Sequence, residues 1–250
     1  MLIRDKSVFP EQTAYSSSHS SWFCFLSEIL VNKSKQFINN ISIFGLQIVR
    51  IKDILKYLFD RLLALLALLV MFPVLVMIAI AIKVSSKGPV FFRQIRVGKD
   101  GRNFTIIKFR TMMKNDSLNT ITASGDSRIT KTGAFLRKWK LDELPELVNV
   151  LLGEMSFVGP RPDVPGYADL LKGDERRILA LRPGITGPAS LKYYNEEEIL
   201  AGVKNPKEYN NLVIFPDKVK INLKYLERHT LFEDIRIIIF TILRKQDYEY

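Results

Sequence analysis

The sequence predicts an α+β fold: a mostly helical, membrane-associated domain with a short β-hairpin, preceded by an N-terminal Pro-kinked membrane helix, re-entrant or spanning. Three observations carry this. From Leu62 to Ile82 the chain runs 21 residues without a charge, as a helix roughly 30 Å long, about the thickness of a bilayer core. Val90 to Val97 and Phe104 to Arg110 are short strand-like runs separated by the turn Gly98-Lys99-Asp100-Gly101. The other apolar runs, Phe135–Trp139, Leu147–Leu152, Arg176–Leu181 and Lys218–Glu227, have helical spacing. A few strands beside many helices make α+β rather than α/β, and no internal repeat is visible.

Composition narrows the chemistry. The 250 residues are 47% hydrophobic and 25% charged, a globular balance that excludes a disordered chain. A formal net charge of +11 points to anionic partners: nucleic acid, phosphorylated metabolites or a membrane face. Cys24 is the only cysteine, and His19 and His229 are the only histidines. An intrachain disulfide and a Cys/His zinc cluster are therefore excluded, and a Ser-His-Asp or Cys-His nucleophile has poor material. The available chemistry rests on carboxylates, Arg and Lys. Cys24, inside Trp22-Phe23-Cys24-Phe25-Leu26, reads as a small buried hydrophobe.

Residues 1–50 form an extension with a Ser-rich run, Ser16 to Ser21, to which no function is assigned. Asp5 and Glu11 dilute its basic start, and no small-residue cleavage site follows its apolar stretch, so it is a poor signal peptide. Residues 51–86 hold the membrane helix. Pro73 near its middle removes a backbone hydrogen bond, and a kink is expected there. Lys52, Lys56 and Arg61 precede the apolar run and Lys83, Lys87, Arg93 and Arg96 follow it, so both ends favour the cytoplasm. A helix that bends at Pro73 and returns to the same side satisfies both flanks; a simple span is the competing reading. Residues 87–250 form the cytoplasmic part, with Ser117 to Thr132 a polar loop. Leu231 to Leu243 is too short to span and reads as a helix lying on the membrane surface or as a core element.

Two motifs in that part carry charge in an organised way. The first is Arg137-Lys138-Trp139-Lys140-Leu141-Asp142-Glu143-Leu144-Pro145-Glu146, leading into an apolar helix that stops at Gly153. Read structurally, Asp142 caps the helix, Glu143 favours its positive end and Pro145 is tolerated in the first turn. Read chemically, adjacent carboxylates lie where a phosphate is attracted, with cations upstream. One carboxylate can attack phosphorus while its neighbour holds a divalent cation. The second motif, Gly153 to Pro162, contains Val158-Gly159-Pro160-Arg161-Pro162, in which two prolines fix the backbone around Arg161. Its plainer reading is a rigid surface turn, and Leu181-Arg182-Pro183-Gly184-Ile185-Thr186-Gly187-Pro188 has the same character.

Taken in order, the apolar Pro-containing helix, Gly88-Pro89-Val90-Phe91-Phe92-Arg93-Gln94, Lys108-Phe109-Arg110-Thr111-Met112, Leu141-Asp142-Glu143-Leu144-Pro145, Val158-Gly159-Pro160-Arg161-Pro162 and Arg182-Pro183-Gly184 resemble the bacterial sugar transferase family. These are the monotopic polyprenyl-phosphate phosphoglycosyl transferases. The resemblance covers about residues 52–245. It implies transfer of a sugar 1-phosphate from a nucleotide diphosphate sugar, usually a UDP-sugar, to polyprenyl (undecaprenyl) phosphate, releasing UMP. It further implies that Asp142 is the nucleophile of a covalent phospho-sugar intermediate and that Glu143 beside it serves a Mg²⁺ site, so both are catalytic and metal candidates. Lys108, Arg110, Arg137 and Arg161 are implied to bind substrate by neutralising phosphate. The implied setting is the bacterial inner membrane with the catalytic part facing the cytoplasm, at the first membrane step of exopolysaccharide, capsule or O-antigen lipopolysaccharide synthesis. Lipids are partners, and a homodimer is compatible with the sequence.

Two departures from the family pattern stand out. Phe72 precedes Pro73 where Ser is common, which removes a hydroxyl able to satisfy freed carbonyls. Glu146 stands where Gln is common; its charge either alters metal or nucleotide preference or faces solvent. A membrane-anchored basic scaffold or nucleic-acid-binding protein without catalysis is the alternative. Its cations, however, sit singly among apolar residues rather than in a stripe with stacking aromatics, and no nucleic-acid partner is expected.

Overall fold

A computed structural model describes residues 18–113 and 128–244, with backbone alone for residues 18–51. The first residues of the Ser-rich run, the side chains of His19 and Cys24, and most of the expected polar loop Ser117–Thr132 lie outside the described residues. The chain divides into two compact units, Met1–Asp53 and Ile54–Tyr250. The first is helical from Ser18 onward. All that follows concerns the second.

Helix α1 (Ser18–Ser85) contains the apolar run and continues through Pro73. Over Lys52–Ser85 its most apolar window has a mean hydropathy of 3.1, and only 6% of that window is buried. Leu62, Leu66, Leu69, Val70, Phe72 and Met77 point away from the protein, whereas Ala64, Ile78 and Ile82 are buried against it. One side of this helix is therefore a core element and the rest is bare hydrocarbon.

The expected hairpin is present. Strands β1 (Phe91–Val97) and β2 (Asn103–Phe109) pair antiparallel from Phe91 opposite Phe109 to Val97 opposite Asn103. The turn between them is a short 3₁₀ segment, Lys99–Gly101, in which Asp100 takes φ 58°. Helix α2 (Lys131–Lys138) starts where the Thr130 hydroxyl accepts from the Gly133 N–H at 2.9 Å, an N-cap that consumes one of the helix's free donors. A 3₁₀ turn, Leu141–Glu143, leads to α3 (Glu146–Leu152), which Gly153 ends with φ 83°.

Beyond α3 the two Gly/Pro motifs, read from sequence as rigid turns, each contribute a three-residue strand. β3 (Ser156–Val158) and β4 (Gly184–Thr186) pair in parallel, Ser156 beside Gly184 and Val158 beside Thr186. Their backbones touch because glycines face one another: a Cβ on Gly159 would stand 2.3 Å from the Arg182 carbonyl, and one on Gly184 2.2 Å from the Gly159 nitrogen. The expected helix at Arg176–Leu181 is a 3₁₀ segment, Gly173–Ala180. The rest is helical: α4 (Pro188–Lys192), α5 (Glu196–Ala201), α6 (Pro206–Tyr209), a π turn (Asn210–Ile214), α7 (Phe215–Arg228) and α8 (Leu231–Leu243).

The core connects these pieces to α1. Ala64 packs with Ile106, Leu147, Val150 and Met155, and Ile78 and Ile82 pack with Phe109 and Leu136. Asn149 stitches the hairpin to α3: its amide donates to the Thr105 carbonyl at 2.8 Å and its Oδ1 accepts from the Ile107 N–H at 3.1 Å. A buried polar knot ties α1 to α8, with Lys56 donating to Asp234 at 2.6 Å and Ser156 donating to Asp60 at 2.6 Å. Tyr225 donates its phenolic proton to the other oxygen of Asp234. The segment Leu231–Leu243 is a helix with one face in the core. Ile237 and Asp234 are buried, while Phe232, Ile239 and Ile242 are exposed.

Candidate active site

The first motif is positioned by a turn rather than by a helix end. Lys140 adopts φ 55°, ψ 23°, the left-handed region that a side chain rarely takes, and this swings the chain into the 3₁₀ turn carrying Asp142 and Glu143. Asp142 does not cap α3, contrary to the structural reading of the motif. Pro145, already helical in φ and ψ, occupies the cap position and offers no side-chain hydrogen bond. Asp142 is thereby released from the backbone, and its Oδ1 is buried without a hydrogen-bond partner among the described residues.

Glu143 is held in the opposite way. Its Oε1 accepts from Lys108 Nζ at 2.8 Å and from Arg161 Nη2 at 2.7 Å. Lys108 comes from β2, and Arg161 from the rigid Pro-Arg-Pro segment that β3 launches, so three separated stretches of sequence meet at one oxygen. Glu146 Oε1 also reaches Lys108, at 3.0 Å, and Glu146 is only 2% exposed, so the expectation that it faces solvent is replaced by a buried ion pair.

Burial and neighbours push these carboxyls apart. Burial disfavours charge on Glu143, but Arg161 and Lys108 outweigh it and hold the group well below the usual glutamate range. Asp142 is raised, first by burial and then by the adjacent Glu143 charge. Glu146 is pushed up to about 7 by burial, with Lys108 working against the shift and Glu143 with it. Neighbouring acids with separated affinities for the proton are the arrangement from which distinct chemical roles are drawn.

The remaining expected cations divide. Arg137 lines the cavity described below and donates to Glu197. Arg110 does not join the group. Its guanidinium donates to the Ser86 and Lys87 carbonyls, each at 2.9 Å, and to the Ser86 hydroxyl at 2.8 Å, fastening the hairpin to the end of α1.

A cavity of about 990 Å³ opens beside Glu143. Arg137, Lys138, Lys140, Glu143 and Arg161 line it, as do apolar groups such as Leu179, Phe215 and Val219. Sequence reasoning missed several of its polar residues: Asp163, half-buried and pushed up to about 6 by desolvation, Ser190, Asn222, and Lys218 paired with Glu196 at 2.6 Å. These are scattered along the chain with no diagnostic spacing. Asn222 alone left a signal, being the polar residue on the apolar stripe Val219, Asn222, Tyr225 of α7.

Among the described residues no three His, Cys, Asp or Glu side chains gather as a metal cluster. Asp142 and Glu143 are adjacent, Asp142 with an oxygen that has no partner among the described residues and Glu143 held by cations at the wall of the cavity. The arrangement is a site of carboxylates and cations beside a large cavity, in a unit whose first helix leaves most of its apolar surface exposed. The bacterial sugar transferase profile matches residues 51–246, and the chain belongs to that family. It is 39% identical over 200 residues to the UDP-glucose:undecaprenyl-phosphate glucose-1-phosphate transferase of Escherichia coli (strain K12), covering 78% of this chain and 40% of that protein. The Xanthomonas campestris pv. campestris protein of the same name is 40% identical over 196 residues, covering 76% of this chain and 38% of that one. The exopolysaccharide production protein PSS of Rhizobium leguminosarum bv. phaseoli is 37% identical over 205 residues, covering 76% of this chain and 94% of its own length. The chain thus spans about two fifths of the first two relatives and nearly all of the third.

Proposed function

We propose that this chain transfers a sugar 1-phosphate from a nucleotide diphosphate sugar, a UDP-sugar, to polyprenyl (undecaprenyl) phosphate, giving polyprenyl-diphospho-sugar and UMP. The glycan is an exopolysaccharide, capsule or O-antigen, and the reaction is its first membrane step. The observation that carries this reading is the contrast within the pair: Asp142 keeps a buried oxygen without a partner among the described residues, while Glu143 is clamped by Lys108 and Arg161.

In this mechanism the free Asp142 oxygen attacks the phosphorus that bears the sugar. The bond from that phosphorus to the UMP oxygen breaks, and its electron pair leaves with UMP. An oxygen of polyprenyl phosphate then attacks the same phosphorus, the bond to Asp142 breaks, and the carboxylate is restored. The raised proton affinity of Asp142 makes it the better nucleophile of the pair once ionised. Arg161, Arg137 and Lys140 face the cavity and offset the charge of the diphosphate, and Lys108 holds Glu143 in place. The residues fit Mg²⁺, since an unpartnered carboxylate oxygen adjoins a second carboxylate and this ion takes hard oxygen donors together with substrate phosphates. Asp142 and Glu143 would hold it, and when bound it supplies further charge neutralisation.

The exposed apolar surface of Lys52–Ser85 supports insertion of residues 51–86 into the cytoplasmic membrane. With basic residues at both ends, we place both on the cytoplasmic side, with a kink at Pro73. Residues 87–250 then form the catalytic part on the cytoplasmic face, the exposed Phe232, Ile239 and Ile242 of α8 resting on lipid. The test is to incubate the purified full chain with Mg²⁺, undecaprenyl phosphate and a panel of UDP-sugars, scoring UMP release. Asp142→Asn is expected to lower release by roughly a thousand-fold or more with membrane association unchanged. Undiminished release by that variant would remove the reading.

A further inference from the structure

The large cavity holds two polar groups that the reaction chemistry does not use. Asn222 sits between Val219 and Tyr225 on the buried stripe of α7; it is 5% exposed, and its Oδ1 accepts no hydrogen bond from a described residue. Ser190, on α4, lines the same cavity, and its buried Oγ also lacks a partner among the described residues. A buried polar atom left unpaired loses its hydration with nothing to offset that cost. A leucine at position 222 would continue the stripe without that cost.

The two positions therefore look outward, into the cavity, for their partner. Their chemistry says what kind. Phosphate is answered elsewhere on the cavity wall by Arg137, Lys140 and Arg161. A carboxamide oxygen and a hydroxyl, with apolar Phe215 and Val219 also lining the cavity, suit an uncharged ring that presents N–H or O–H donors.

We infer that Asn222 and Ser190 form a recognition subsite for an uncharged, hydrogen-bonding end of the nucleotide-sugar donor, which donates an N–H or O–H to Asn222 Oδ1 and shares a hydrogen bond with Ser190 Oγ. The inference rests on the function proposed above. The donor has two ends of this chemistry, the base with its imide edge and the sugar with its hydroxyls, and the experiment separates them.

Binding of UDP-glucose and of UDP is measured by calorimetry on the full chain in detergent, with Asp142→Asn as the parent so that no turnover occurs. Asn222→Leu and Ser190→Ala are added singly to that parent, and thermal unfolding is recorded alongside. The expected result is a loss of UDP-glucose affinity of roughly ten-fold for Asn222→Leu and less for Ser190→Ala, with unfolding temperature unchanged or raised. An equal loss for UDP assigns the subsite to the base; a loss confined to UDP-glucose assigns it to the sugar. Unaltered affinity for both ligands overturns the subsite, as does a lowered unfolding temperature with unaltered affinity, which marks a purely structural role. A parent that binds neither nucleotide overturns the proposed function itself, an outcome distinct from one in which the parent binds and the variants bind equally.

Discussion

Glu146 Oε1 lies 3.0 Å from Lys108 Nζ, on a lysine that Glu143 also holds at 2.8 Å. One cation thus serves two buried carboxylates, and the one more weakly held gains affinity for the proton. Glu146 is raised to about 7 by burial, so between its ordinary range near 4.5 and about pH 7 the folded state binds more protons than the unfolded state. Its contribution to stability is greatest below that window and is lost as pH rises through it.

Glu146→Gln is therefore expected to flatten this pH dependence. The variant should match the parent near pH 5 and exceed it by about 1–3 kcal/mol at pH 8. Chemical denaturation in detergent at the two pH values measures the difference, and a variant less stable than the parent at pH 8 would contradict the assignment.

Lys108→Met removes the shared cation and leaves two buried carboxylates facing each other. A loss of about 3–5 kcal/mol is expected, as for other broken buried ion pairs. Adding Glu146→Gln to Lys108→Met should recover more than about 1 kcal/mol, because the two positions are coupled. Denaturation midpoints of the parent, both single variants and the double variant close that cycle.

Asn149 carries no chemistry but fixes where Lys108 stands, through its bonds to Thr105 and Ile107 on β2. Asn149→Leu strips partners from those backbone groups, and about 2–4 kcal/mol should be lost. Because β2 would shift with respect to α3, UMP release should fall even in preparations that remain folded by circular dichroism.

Gly184→Ala tests the contact between the two Gly/Pro segments. The added Cβ would meet the Gly159 nitrogen at 2.2 Å and the Thr186 carbonyl at 2.4 Å, both backbone atoms that cannot swing aside. Destabilisation of about 3 kcal/mol or more is expected. A rise in KM for the UDP-sugar should accompany it, since Arg161 follows the β3 segment against which Gly184 packs.

Local patterns in the chain announced the long apolar helix, the hairpin and helices α2, α3, α7 and α8, because apolar period and turn residues are written in contiguous sequence. They did not announce β3 and β4, whose three-residue strands are too short for a period and whose parallel pairing joins positions Ser156 and Gly184 through long-range contact alone. At the site, the Asp142–Glu143 pair and Arg161 were visible as motifs. Arg110 belonged to an equally visible motif, yet its partners, Ser86 and Lys87, lie on a segment that only folding brings near. Glu146 was visible as a departure from family pattern, and its burial was not, because nothing in one sequence says that Lys108 will be waiting for it.

Ala64, Ile78 and Ile82 of α1 fill the same interior as Ile106, Leu147 and Phe109, and Lys56 is bonded to Asp234. A version made by trimming the chain ahead of the hairpin would consequently lose part of its own centre, exposing oily surface where α1 had been and stranding a carboxylate. Purification schemes that begin by deleting the hydrophobic start should therefore yield aggregate.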